Sequence, residues 1–172
     1  RENIVLTVGA IQKRKNLARM VRSFGRMPTD WRFIIAGSPN GFGAAEELQA
    51  IHDSPRRSDI EVQGFVSNQQ LEQLYQRASV FFFCSLDEGF GMPVLDAMAH
   101  GIPVVTSNRS AMPEVAGDAA ILANPEDVDE MSAALAQAAQ DANGGRRGWA
   151  RAQEFSWEKA VDATWRVYEE LR

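Results

Sequence analysis

The chain has 172 residues, 45% of them hydrophobic and 24% charged, which is enough to bury one good-sized core and predicts one compact domain. A net charge of −5 and a pI near 5.1 argue against a sequence-independent grip on DNA or RNA. The strongest apolar runs, 33–37 and 80–84, are strand-length and too short to span a bilayer. No signal peptide is visible, and a start at Arg1 instead of Met reads as a piece of a longer protein. The one cysteine, Cys84, cannot close an internal disulfide, so a reducing, cytoplasmic setting is expected. It ends an apolar run, where cysteine behaves as a small hydrophobe more often than as a nucleophile.

In chain order, residues 3–8 read as a buried strand, followed by Gly9 and a loop. Leu17, Met20, Val21 and Phe24 then recur at helical spacing. Residues 31–36 form a second strand, closed by the turn formers Gly37, Ser38, Pro39, Asn40 and Gly41, and a helix is predicted over 44–52. A short strand at 60–62 precedes a helix capped by Ser67 and running to Arg77. The apolar stretch 80–84 has the character of a central parallel strand. A glycine loop, a helix over 92–100, and short strands at 103–106 and 120–122 complete the alternation. Strands alternating with helices predict a doubly wound α/β domain, a Rossmann-like parallel sheet covered on both faces. After Pro125 the pattern is helical, with a break at Asn143, Gly144 and Gly145. The tail then places Val161, Trp165, Tyr168 and Leu171 on one helical side, near Trp157. Such a stripe is expected to pack on this same domain, the alternative being a surface that covers another domain.

The chemistry concentrates in residues 85–101, SLDEGFGMPVLDAMAHG. Glu88 stands where the apolar strand ends, Gly89 and Gly91 bracket Phe90, and Pro93 suits the first turn of the next helix. In an open parallel sheet ligands bind beyond the carboxyl ends of the strands, where a helix N-terminus offers free amides to a phosphate. The helix dipole supplies only about 0.3–1 kcal/mol, so a diphosphate needs cations as well. Lys13, Arg14, Lys15 and Asn16 follow the first strand on the same rim, with Lys15 expected to begin the helix. Arg14 and Lys15 are the candidates for ligand contact, whereas Arg19, Arg22 and Arg26 read as a solvated face.

These segments carry a family resemblance. VGAIQKRKN, FIIAG, VQGFVSNQQLEQLYQRASVFFFCSLDEGFGMPVLDAMAHGIPVVTSN and MPEVAGDAAILANPEDVDEMSAAL occur in order over nearly the whole chain. Together they resemble the C-terminal, donor-binding domain of family-4 (group 1) retaining glycosyltransferases, which have the GT-B fold. The resemblance implies one nucleotide-sugar-binding domain over 1–172, with 143–172 its helical tail and the N-terminal acceptor domain absent. It implies that Glu88 contacts the donor sugar, alongside Phe90, Gly91 and Met92, and that Lys15, Arg14 and Met92 hold the diphosphate. It further places Asp96 on the ribose hydroxyls and the Gly64, Phe65, Val66 turn along the nucleobase. The family usually has glutamate at the position of Asp96, so the shorter aspartate here makes that contact weaker, water-mediated or lost. Some members also carry an arginine where this chain has Ala10, which leaves more of the charge to Arg14 and Lys15.

The resemblance also implies a nucleotide-diphosphate sugar as substrate and no metal cofactor. It further implies a glycan or lipid-linked saccharide as acceptor, reached in the cytoplasm or at the inner membrane face. Asp127, Val128 and Asp129 look like a short manganese motif, but they open a helix, where acidic residues meet the dipole favourably. Glu114 could reach the site or simply start a helix. His52 and His100 lack metal-ligand spacing. Three other readings compete: a nucleotide-sugar epimerase of the same fold, an isolated dinucleotide-binding domain built on Gly37 to Gly43, and a binding module inactive on its own. The glycines of the second lack the full dinucleotide spacing and follow the wrong strand.

Overall fold

The computed structural model describes residues 1–171 and consists of a six-stranded, wholly parallel sheet with helices on both faces. The strands are β1 (Ile4–Val8), β2 (Arg32–Ala36), β3 (Ile60–Gly64), β4 (Val80–Phe83), β5 (Val104–Ser107) and β6 (Ile121–Ala123). The helices are α1 (Leu17–Phe24), α2 (Ala44–His52), α3 (Asn68–Arg77), α4 (Met92–Ala99), α5 (Met112–Ala116), α6 (Val128–Gln140), α7 (Gly144–Ala152) and α8 (Trp157–Glu170).

The spatial order β3-β2-β1-β4-β5-β6 is the doubly wound arrangement, with its direction reversing between β1 and β4. Alternation along each strand splits the core in two. Val5, Phe33, Ile35 and Phe82 point to one face and bury Met20, Phe24, Met131 and Leu135 of α1 and α6. Leu6, Ile34, Phe81 and Phe83 point to the other and bury Leu74, Val94, Met98 and Met112 of α3, α4 and α5. Burial on both faces explains why the strands read as continuous apolar runs.

Local signals place several boundaries. Ser67 and Gln70 form a reciprocal capping box at the start of α3. Asp127 accepts from the amides of Asp129 and Glu130 at the start of α6, so its carboxylate is committed to a helix cap. Asp129 pairs with Arg26. Lys15 does not begin a helix. Lys13–Lys15 form a separate 3-10 turn, and Asn16, in the left-handed conformation at φ 61°, divides it from α1.

The tail departs from expectation more fully. Helix α7 packs on α4, but α8 buries no residue. Trp157, Val161, Trp165, Tyr168 and Leu171 all lie exposed, Trp157 at 76%. The predicted aromatic stripe exists, but it finds no partner among the described residues.

Candidate donor site at the sheet switch point

The loops after β1 and β4 leave the sheet side by side where the strand order reverses, and they are bonded to each other. The Leu86 amide donates to the Arg14 carbonyl at 2.8 Å, and an Arg14 guanidinium nitrogen donates to the Asp87 carbonyl at 3.1 Å. Asn16 fixes both from below. It is buried, and its side-chain amide donates to the carbonyls of Cys84 (3.0 Å) and Pro125 (2.6 Å), while its oxygen accepts from Arg19 at 2.9 Å. One side chain therefore ties together the first loop, the end of β4 and the entry to α6. Arg19, expected on a solvated face, takes part in this network.

Above it sits a charged triad. Lys15 Nζ lies 2.6 Å from Glu88 Oε1, and an Arg14 terminal nitrogen lies 2.9 Å from Oε2. The Glu88 side chain is only 9% exposed and Lys15 16%, whereas Arg14 is open to solvent at 46%. Oε1 receives no well-directed hydrogen bond, so the ammonium holds it by charge and proximity more than by alignment. Burial lowers the Lys15 pKa, and the Glu88 carboxylate opposes that shift. The ammonium also lies over the Phe83 ring at 4.3 Å, a cation–π contact. Gly9 borders it at φ 141°, and a Cβ there would stand 3.4 Å from Lys15 Cε and Nζ, an ordinary contact distance.

Ser110 holds the carboxylate's backbone. Its hydroxyl lies 2.6 Å from the Asp87 carboxylate and 2.7 Å from the Glu88 carbonyl, and it accepts from the Glu88 amide at 3.2 Å. Ser110 adopts φ 57° to do so. Nothing in the sequence singled it out, because its partners lie more than twenty positions away. Ser85 and Ser107 bury hydroxyls without a partner at the ends of β4 and β5.

Gly91 turns the chain into α4 at φ 98°, and no side chain caps that helix. A Cβ at Gly91 would come within 2.3 Å of Met112 Cε. Gly91→Ala is therefore expected to lower stability by roughly 1–3 kcal/mol, from backbone strain plus displacement of the buried methionine. Thermal melts would show it; an unchanged Tm would mean the turn is not strained.

Asp96 lies apart from the triad. With Phe90, Met92 and Leu95 it lines a mostly apolar cavity of about 640 Å³, whose far wall is Phe155, Trp157, Lys159 and Ala160. Phe90 meets Phe155 edge-on at 6.1 Å. Burial raises the Asp96 pKa and His100 opposes the rise. His100 closes α4, stacks on Tyr75 and contacts Glu72 at 2.8 Å. Phe65 is 90% exposed beyond β3, and Val66 packs against the core. Their strand is three neighbours from β4, about 14 Å at ordinary sheet spacing. The triad thus stands ahead of α4 and the Asp96 cavity along it, with Phe65 and Val66 farther along the same rim.

Cys84 is fully buried and burial pushes its thiol pKa up, which removes it as a nucleophile. Glu114 sits exposed in the first turn of α5 and makes no contact with the triad. Among the described residues no group of three or more His, Cys, Asp or Glu side chains could hold a metal ion. No helix there is long and apolar enough to cross a membrane.

A six-stranded Rossmann-like sheet with cations and a helix N-terminus at its switch point defines one half of a GT-B glycosyltransferase fold. The family profile "Glycosyl transferases group 1" matches residues 1–154, and the chain belongs to that family. It is 34% identical, over 99% of its length, to the O-antigen chain mannosyltransferase B of Escherichia coli, of which it covers 46%. It is 40% identical over 60% of its length to the MMP alpha-(1->4)-mannosyltransferase of Mycolicibacterium hassiacum, covering 27% of that protein. Sucrose-phosphate synthase from Thermosynechococcus elongatus superposes with a TM-score of 0.84 at 26% identity, covering 99% of this chain and 45% of that one. The Anabaena HepE structure in complex with UDP and glucose shares the fold, with a TM-score of 0.82 at 19% identity, 99% of this chain and 48% of its own. The chain spans about half the length, or less, of the relatives it matches.

Proposed function

We propose that this chain is the donor-binding half of a retaining, metal-independent glycosyltransferase that uses a nucleotide-diphosphate sugar. The observation that carries the reading is the pairing of Arg14 and Lys15 with Glu88 beside the uncapped N-terminus of α4. In transfer the bond from the anomeric carbon to the phosphate oxygen breaks, and its electron pair leaves with the diphosphate. Lys15, Arg14 and the Met92 amide stabilise that growing charge, the part a metal plays in other transferases. The acceptor hydroxyl oxygen bonds to the anomeric carbon, and its proton passes to the departing diphosphate, whose oxygen has just gained the electron pair. Glu88 binds and orients the sugar, with Phe90, Gly91 and Met92 around it. Mannose is the sugar we favour, because relatives along most of this chain are named as mannosyltransferases.

The acceptor side, a glycan or lipid-linked saccharide, belongs to the remaining half of the enzyme, and the exposed stripe of α8 is the surface we assign to contact with it. On its own the chain binds donor without turnover. Calorimetric titration with GDP-mannose, UDP-glucose and NAD tests this. Saturable binding of a nucleotide sugar with none of NAD is expected; binding of NAD alone would replace this reading with a dinucleotide-binding one.

Asp96 is proposed to reach the ribose hydroxyls from the cavity beside α4. The longer carboxylate of Asp96→Glu should then tighten the nucleotide sugar by roughly one hydrogen bond, about 0.5–1.5 kcal/mol. If Asp96→Glu and Asp96→Ala both leave the Kd unmoved, Asp96 does not touch the ribose.

A further inference from the structure

The triad contains a conflict that bears on which nucleotides the site will keep. Lys15 is mostly buried, its ammonium over the Phe83 ring and its end beside Gly9. Glu88 Oε1 lies 2.6 Å from it. The same carboxylate occupies Arg14 through its other oxygen at 2.9 Å. Both cations assigned above to the diphosphate are therefore already engaged by one largely buried anion. A diphosphate must compete with Glu88 for Lys15 and Arg14, and two anions close together in the pocket repel each other.

We infer that Glu88 makes the site selective for sugar-loaded nucleotides and expels the bare nucleoside diphosphate left after transfer. This rests on the donor-site reading given above. When a sugar is attached, its hydroxyls offer the displaced carboxylate new hydrogen-bond donors, so Lys15 and Arg14 are released to the diphosphate without a stranded charge. When no sugar is attached, the carboxylate has no such partner and returns to the cations, competing with the product for them. The motion required is confined to the side chain, because Ser110 clamps the Glu88 amide and carbonyl in place. Glu88 is thus an internal competitor of the diphosphate and a specificity-determining residue.

The test compares GDP with GDP-mannose, and UDP with UDP-glucose, by calorimetry on wild type, Glu88→Gln and Lys15→Ala. Glu88→Gln removes the competing charge and keeps the shape. It should bind the nucleoside diphosphate roughly tenfold tighter than wild type, the range of a half-buried ion pair, while the nucleotide sugar gains nothing or weakens. Lys15→Ala should weaken both ligands. A Glu88→Gln protein that binds the nucleoside diphosphate no tighter than wild type, yet still binds the nucleotide sugar, would overturn the inference and leave the donor site standing. Failure of wild type to bind any of the four ligands would overturn the donor site itself. A wild-type complex needs no variant: a bound diphosphate with Lys15 still 2.6 Å from Glu88 would refute the competition directly.

Discussion

Lys15→Ala in the full-length enzyme is expected to reduce kcat for glycosyl transfer about 10²–10³-fold, the loss that follows removal of one preorganised donor to a developing anion. The size of the effect reflects where the ammonium sits. It is 16% exposed and rests on the Phe83 ring, so little water screens its charge. Arg14 cannot replace it, because its side chain is 46% exposed and bonded in part to Gln12 and Asp87. Stability should fall less, by about 1–3 kcal/mol, since Glu88 keeps Arg14 as a partner. Lys15→Arg retains charge but not the compact point donor beside the Phe83 ring, so it should rescue stability better than kcat. Steady-state kinetics paired with thermal melts separate the two. A Lys15→Ala enzyme with near-normal kcat would remove Lys15 from the diphosphate.

Asn16→Ala is expected to be the most destabilising single change near the site, by about 3–5 kcal/mol. It strands the carbonyls of Cys84 and Pro125, removes the acceptor of Arg19, and forces alanine into the left-handed region at φ 61°. Against a domain stability of roughly 5–15 kcal/mol, that brings the chain close to unfolding. Asn16→Gly separates the causes: it accepts the backbone angle but supplies no amide, and should recover about 1 kcal/mol of the loss. Urea titration gives both values. Equal stability of Asn16→Ala and wild type would show that the loops are held by something else.

Much of this architecture is legible in the residues themselves. The 44–52 helix follows directly from its pattern, and the Ser67 cap with Gln70 three residues on announces α3. The apolar runs 3–8 and 80–84 are central strands because both their faces are covered. The meeting of the 13–16 loop with Glu88 is legible too, since both follow strands that share one rim. The start of α1 is not legible, because Lys13, Arg14 and Lys15 are all good helix formers and nothing in their pattern marks a reversal. The available signal was Asn16, a residue that tolerates the left-handed conformation, standing just ahead of the apolar periodicity. The surroundings of Asp96 and the role of Ser110 depend on contacts made across long stretches of chain. The α8 stripe is exposed for a different reason. Amphipathic spacing says that a face needs a partner, not which part of a protein supplies it.

That helix has a thermodynamic consequence. Trp157, Lys159 and Ala160, at the start of α8, form a wall of the cavity that holds Asp96 and Phe90. Whatever fixes the pose of α8 therefore also fixes the shape of that cavity. Linkage then runs both ways: an occupant that favours one pose by a given free energy strengthens, by the same amount, any contact made by the helix in that pose. Filling the cavity and anchoring the exposed aromatic stripe are thus two readouts of a single coupling constant.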